Sequence, residues 1–357
     1  MRVIYSDIHR RHNPPFEVME GGNKMPIFES QERLDRILTA LGETGWAGIH
    51  PPEEFGLEPI LAVHAPDYLE FLQNGYAEWQ AQGGQLGTYM DTSVLLGGTF
   101  PPRRVFRKPQ TIAGRVGYYT FDLSCPIVAG TYAAALAAAN CALTGAKLIQ
   151  AGERAVFALC RPPGHHAGRD FAGGYCYLNN ACIAAKYLSS PPLGGIEGGP
   201  RVALLDIDYH CGNGSQDIFY DSAEVLTISL HADPNHQYPY FTGYADETGS
   251  GPGVGYHRNF PLPPGTGDAA YLQTLDEALV LIRTFDPRYL VLSFGADIFA
   301  GDPLGDFAIT TEGFAAIGQH IGGLGLPTLM VMEGGYNTEA LGQNTCAFVG
   351  KFEKVKR

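Results

Sequence analysis

Hydrophobic positions along the chain follow two alternating patterns. Short apolar, β-branched runs recur at 155–159, 202–205, 225–230, 289–294 and 328–332, and Met1-Arg2-Val3-Ile4-Tyr5-Ser6-Asp7 reads as a first strand. Runs that stay apolar at successive positions predict strands buried on both faces, as in a parallel sheet. Helical spacing lies between them. Leu34, Ile37, Leu38 and Leu41 mark a helix over 29–41, stopped by Gly42 and Gly45. Pro66 opens a second helix through Tyr68, Leu69 and Leu72, ending near Gly75. The Ala-rich stretch 130–149 predicts a helix packed tightly on the sheet, and further helical patterns lie around 181–188, 270–285 and 312–324. Strand and helix in alternation imply an α/β fold with a mostly parallel central sheet and helices on both faces. Neither an internal repeat nor a domain boundary interrupts 1–357, so a single domain is expected.

Three stretches lack periodicity. Residues 12–28 read as a Pro- and Gly-rich loop, and 191–200 as a surface loop without visible chemistry. The third, 82–125, alternates glycines, prolines and the basic cluster Arg103, Arg104, Arg107 and Lys108 with Tyr89, Phe100, Phe106, Tyr118, Tyr119 and Phe121. So long a structureless run in a compact domain is uncommon and usually functional. Its aromatic residues imply packing on something, and a partner subunit is the preferred candidate.

Composition narrows the classes. Lys+Arg 24 against Asp+Glu 37 gives a formal charge of −13, which disfavours nucleic acid as a partner because phosphate binding needs a basic face. Seven cysteines without CxxC spacing fit a reducing compartment. No segment reads as long and apolar enough to span a bilayer, and the N-terminus does not look like a signal peptide. The expectation is a cytoplasmic protein with no membrane partner.

The chemistry gathers where the apolar runs end. Asp206, Asp208 and His210 stand at every second position, so an extended strand would turn all three to one point. Carboxylates and imidazole at that spacing suit a catalytic divalent metal. Other runs end in Arg161-Pro162-Pro163-Gly164-His165-His166-Ala167, in Ser229-Leu230-His231, in Ser293-Phe294-Gly295-Ala296-Asp297 and in Glu333-Gly334-Gly335-Tyr336. Any one of these is an ordinary polar loop. Five on the ligand-binding edge of one sheet are a site.

With RPPGHHA at 161–167, GGYCYLNN at 173–180, LLDIDYHCGNGSQDIFY at 204–220, the Asp297 loop and EGGYN at 333–337, the sequence resembles the histone deacetylase and acetylpolyamine amidohydrolase family. The likeness runs through nearly the whole chain and implies a single-domain arginase-deacetylase fold. It implies that Asp208, His210 and Asp297 hold the metal, zinc by the family's habit, with ferrous iron chemically reasonable for so hard a ligand set. His165 and His166 match the tandem histidines, the second as general base, with Asp206 and Asn213 as their partners. Asn213 in place of an aspartate leaves His166 less basic. Tyr336 matches the oxyanion donor. Tyr175 and Tyr238 are candidates for the walls of an acyl tunnel, with Gly174 beside them. Asp122 is the nearest acid for a polyamine's distal ammonium. Carbonyls of Asp206, Asp208, His210 and Leu230 with side chains of Asp206 and Ser229 match an inner potassium site; carbonyls of Phe219, Ser222 and Val225 match part of an outer one. The 82–125 loop resembles a dimer-forming insertion, which implies a homodimer.

The implied reaction is removal of acetyl, or a similar short acyl group, from a primary amine, with acetylpolyamines or related small acylated amines as substrates. The alternatives are an acetyl-lysine protein deacetylase and a non-catalytic acyl-amine binder. A two-manganese ureohydrolase would need carboxylates where Gly212 and Gly295 stand. Cys211 is expected to be buried and structural.

Overall fold

A computed structural model describes residues 1–18, 22–84, 93–102, 105, 107–190, 199 and 201–355. Ten strands and ten α-helices are described in chain order. The first half holds β1 (Arg2–Ile4), β2 (Glu17–Val18), β3 (Lys24–Met25), α1 (Glu32–Thr44), β4 (Gly48–His50), α2 (Glu58–Leu61), α3 (Pro66–Ala81), α4 (Ile112–Tyr118), α5 (Thr131–Gln150), β5 (Ala155–Ala158) and α6 (Asn180–Ser189). The second holds β6 (Val202–Asp206), α7 (Asn213–Phe219), β7 (Val225–Ala232), β8 (His257–Leu262), α8 (Asp268–Phe285), β9 (Tyr289–Phe294), α9 (Thr311–Gly322), β10 (Thr328–Met332) and α10 (Thr338–Lys354). Eight strands form one sheet in the order β4-β1-β5-β10-β9-β6-β7-β8, and each described pairing in it is parallel. β9 and β10, made last, fill the gap between β5 and β6. The loops after β5, β10, β9 and β6 are therefore neighbours although they are distant in sequence.

Successive strand residues face opposite layers. Leu204, Val291 and Leu329 pack with α3, α5 and α6 on one side, and Leu205, Leu292 and Met330 with α1, α8, α9 and α10 on the other. Burial on both faces is why the strands show no polar alternation. β4 and β8 were not legible: β4 is three residues long and mostly exposed, and Pro261 and Arg258 break the apolar run of β8.

Several expectations need correction. Residues 12–28 hold the antiparallel pair β2–β3. The first helix begins at Glu32 and passes through Gly42 to Gly45, whose φ of 72° ends it in the left-handed region. α3 continues beyond Gly75 to Ala81. α5 does meet the length and composition of a membrane span, but most of it is buried against α6 and the sheet. It is a core helix.

The 82–125 segment is not structureless. It contains α4, and Leu95 pairs with Ile127 through two backbone hydrogen bonds of 2.9 and 3.0 Å. Tyr119 stacks on Phe71 at 4.9 Å, Phe121 stacks on Tyr238 at 5.9 Å, and Lys108 bonds Asp67 and the Tyr119 hydroxyl. Much of the aromatic content thus packs on its own chain. Gly114 and Gly117 hide the helical period; a Cβ at Gly117 would lie 1.8 Å from the Thr99 carbonyl oxygen. Tyr89, Arg103, Arg104 and Phe106, and the 191–200 loop apart from Gly199, lie outside the described residues.

α9 and α10 cross at Gly318, where an added Cβ would sit 2.2 Å from the backbone oxygen of Phe348, whereas at Gly350 it would meet nothing within 4 Å. Gly318→Ala should therefore destabilise the protein by roughly 1–3 kcal/mol through overpacking. Gly350→Ala should stabilise it by about 0.5–1 kcal/mol through helix propensity. Denaturant midpoints moving in opposite directions would bear this out.

Candidate active site

One buried carboxylate ties the loops together. Glu333, at the end of β10, accepts hydrogen bonds at Oε2 from the Gly164 and His165 amides (2.7 and 3.1 Å) and at Oε1 from the Ser293 hydroxyl (3.1 Å). It joins the loops after β5 and β9 to its own. Burial pushes its carboxyl up to about 7, against the pull of the charged His165. Beneath it, the buried Arg33 donates to the Gly335 carbonyl (2.7 Å), the Glu333 carbonyl and Glu29 Oε1 (2.9 Å), and its guanidinium lies 4.9 Å from the centre of the Tyr336 ring. Arg161 donates to the carbonyls of His9, His12 and Glu29 and pairs with the same Glu29 carboxylate.

Asp206 does not join Asp208 and His210 at one point. β6 ends at Asp206 and the chain bends, so the every-second-position argument fails just beyond it. Asp206 Oδ1 instead accepts the Asp208 amide (3.0 Å), and Oδ2 faces His165 Nδ1 (3.0 Å). The convergent set is Asp208, His210 and Asp297, whose ligand atoms all lie within 4.8 Å of one another. His210 Nδ1 is 3.3 Å from Asp208 Oδ1 and 3.2 Å from Asp297 Oδ2. Asp208 Oδ2 accepts the Gly334 amide and Asp297 Oδ1 the Tyr209 amide, while Asp297 Oδ2 is buried without a hydrogen-bond donor. Burial and the neighbouring Asp208 push Asp297 up to about 7. Burial alone would lower His210, yet the two carboxylates raise it to about 9. Two buried carboxylates and an imidazole converging on one point, with one oxygen left unsatisfied, fit a divalent cation.

The tandem histidines lie beside this set, their ring centres 3.9 Å apart and their planes tilted by 43°. They are in opposite states. His165 is pushed up to about 10, because Asp208 and Asp206 outweigh its burial. His166 is held well below the ordinary imidazole range by burial and by the cations at His165 and His210, with only Asn213 Oδ1 at 2.6 Å on its Nδ1. His166, His210 and Tyr336 all line a cavity of about 670 Å³. Tyr175 and Tyr238 line it too, the Tyr238 ring edge-on to His166 at 5.0 Å and the Tyr175 ring 5.7 Å from Tyr336. Gly174 leaves room for His166, since a Cβ there would be 2.2 Å from its Cδ2. Asp122 also lines the cavity, but its carboxylate serves the wall, accepting the Gly174 amide, the Tyr238 hydroxyl and the Ser124 amide.

Sequence reading missed Glu29, Arg33, Arg161 and Asp302 as supports and Phe121 as a wall residue. Asp302 Oδ2 accepts the Tyr336 and Asn337 amides (2.7 and 3.0 Å) and so seats the Tyr336 loop. A charge beside the apolar stripe of an amphipathic helix, Arg33 next to Leu34, Ile37 and Leu41, was the one available signal. Cys211 is buried and outside the ligand cluster. A carboxylate at Gly212 or Gly295 would collide with the Asp206 or Asp208 side chain, each 2.3 Å from the added Cβ, so the two-manganese alternative has no room for its ligands. Ser229 donates to, or accepts from, His231 Nδ1 (2.7 Å), and the Phe219 carbonyl accepts the Ser222 amide.

Comparison with known proteins identifies the family. A family model described as the histone deacetylase domain matches residues 27–352. The chain is 44% identical to acetylpolyamine amidohydrolase 2 of Pseudomonas aeruginosa over the full length of both, and 42% identical to the acetylpolyamine amidohydrolase of Mycoplana ramosa over 96% of this chain and 97% of that one. A crystal structure of acetylpolyamine aminohydrolase from Burkholderia pseudomallei superposes with a TM-score of 0.91 at 38% identity, covering 99% of each chain.

Asp297→Ala should empty the metal site and stop catalysis together, because two protein ligands cannot hold the ion against water. Elemental analysis finding a full equivalent of metal in the variant would remove Asp297 from the ligand set.

Proposed function

Since the chain belongs to the histone deacetylase family, and is a deacetylase that hydrolyses linear amides, we propose that it removes acetyl or short acyl groups from acetylpolyamines or related small acylated amines. The observation that carries this reading is a single one. His166, Tyr336 and His210, the last a member of the Asp208–His210–Asp297 cluster, line one aromatic-walled cavity of about 670 Å³. The acetylpolyamine amidohydrolases it resembles along their full length support the substrate class.

The site would take zinc, or ferrous iron, on Asp208, His210 and Asp297, and a bound ion polarises the amide carbonyl and acidifies a water. The chain's own groups do the rest. His166, kept neutral, accepts a proton from the attacking water as its oxygen bonds to the carbonyl carbon, and passes it to the nitrogen as the C–N bond breaks. The Tyr336 hydroxyl donates to the oxygen that becomes negative in the tetrahedral state. His165 stays charged through Asp206 and adds positive potential where that charge develops. The apolar walls at Tyr175, Tyr238 and Phe121 exclude water and hold the alkyl chain in line.

The remaining assignments rest on resemblance. The carbonyls of Asp206, Asp208, His210 and Leu230 with Ser229 would hold one structural potassium ion, and those of Phe219, Ser222 and Val225 part of a second. The 82–125 segment, which lends Phe100 and Phe121 to the cavity, would reach a second subunit with its remaining residues and form a homodimer, measurable as mass in solution. A cytoplasmic location is consistent with seven free cysteines, six of them buried.

Two substitutions test the roles. His166→Ala and Tyr336→Phe should keep the metal and lose roughly two or more orders of magnitude in rate; near-normal turnover in either would mean that its role is misassigned. Asn213→Asp tests the same base from its other side. An anionic partner raises the pKa of His166, so the acid limb of the pH–rate profile should move to higher pH. An unmoved limb would show that some other group sets it.

A further inference from the structure

The cavity mouth carries a second recognition element. We infer that Asp306, with the Phe241 ring on the same rim, binds the free ammonium of an acylated diamine or polyamine; this rests on the substrate class proposed above. An ammonium at the far end of the alkyl chain cannot remain in an aromatic throat without a counter-charge or a π-face. Among the described residues lining the cavity only two carry carboxylates, Asp122 and Asp306. Asp122 is occupied by three donors within its own chain. Asp306 is exposed, and its side chain has a single partner among the described residues, the Tyr209 hydroxyl at 2.7 Å on Oδ1. Its other oxygen faces no cation among the described residues.

The loop carrying Asp306 is indexed to the reacting end. A Cβ at Gly305 would lie 2.4 Å from the Asp297 carbonyl oxygen, so only glycine lets the loop lie this close to the ligand. Asp302 Oδ1 accepts the Leu304 amide (3.0 Å) while its Oδ2 holds the Tyr336 amide, and Tyr209, which holds Asp306, adjoins the ligand His210. Distance from the amide to the carboxylate is thereby a fixed measure of chain length. Phe241 is 90% exposed although it lines the cavity. It is presented by a built turn: its amide donates to the Pro239 carbonyl (2.8 Å), Tyr240 sits at φ 65°, and the Tyr244 hydroxyl donates to the Tyr240 carbonyl (2.8 Å). A ring held in water at a cavity mouth gains by covering a bound chain, and its face suits a cation.

The test compares an N-acetylated diamine with a neutral N-alkylacetamide of equal length, using the metal-loaded enzyme, Asp306→Asn and Phe241→Ala. In Asp306→Asn the side-chain amide oxygen would still accept the Tyr209 hydroxyl, so the loop stays seated. Asp306→Asn should lower the kcat/KM preference for the diamine about fivefold, the reach of an exposed charge pair, through KM and with a flattened salt dependence. Phe241→Ala should lower it less, and Phe241→Trp should retain it. Equal effects on both substrates, or none on the preference, overturn the inference. If the wild type hydrolyses neither amide, the proposed function falls by itself. Calorimetric titration with the free diamine then decides the present point: weaker binding to Asp306→Asn supports it, and equal binding overturns it.

Discussion

Two carboxylates, Asp208 and Asp297, are buried side by side with an imidazole between them, and the upper half of the molecule is arranged around that fact. Removing charge of one sign from water costs several kcal/mol per group even after relaxation. The cost is offset here in layers. Backbone amides of Gly334 and Tyr209 each donate to one carboxylate, and the cationic His165 faces Asp208. What these leave unsatisfied is the one oxygen aimed at the convergence point. The site is an incomplete charge arrangement that a divalent ion completes. The same field keeps His165 protonated and His166 neutral, so a pair of adjacent identical side chains performs two tasks.

A second set of buried charges makes that arrangement rigid. Glu333 spans three strand ends, Arg33 holds the backbone on either side of Gly334, and Glu29 lies between Arg33 and Arg161. Arg33 and Arg161 are paired with Glu29 and hydrogen-bonded, the condition under which a buried charge is tolerated, and the Glu333 carboxyl is held by three donors. None of these groups need touch a substrate. Their effect is to hold the loops that carry Tyr336 and the tandem histidines in fixed relation, which is what positional catalysis demands.

Much of this was legible in the sequence because apolar runs and the polar residues that follow them are local signals. The five long strands were readable in that way, whereas the set Asp208, His210 and Asp297 and the partners of both histidines were expected only from the family resemblance. What escaped depended on distance. β4 owes its place to pairing with β1, and α4 is masked by glycines needed for contact with Thr99. Spacing alone put Asp206 at one point with Asp208 and His210 because strand alternation was carried past the strand's end at Asp206; the family resemblance put it beside His165, where it lies. Asp122 looked like a free acid, since the three donors that occupy it come from Gly174, Tyr238 and Ser124, two of them remote in sequence. The packing of the 82–125 segment on its own chain was hidden because its aromatic residues find partners such as Phe71, Phe171 and Tyr238 only in the folded chain.

The apolar α5 has a consequence for how the protein is made. Its faces are covered by α6, β5 and β10, and β10 ends at Met332, so Thr131–Gln150 leaves the ribosome long before its cover exists. At ordinary elongation rates the missing residues take on the order of ten to forty seconds to appear. For that interval the nascent chain displays twenty residues with the composition of a membrane anchor. Biosynthesis therefore places a demand that the finished enzyme does not show: the segment has to be shielded by a chaperone, or by provisional collapse with α3, until the last strand arrives.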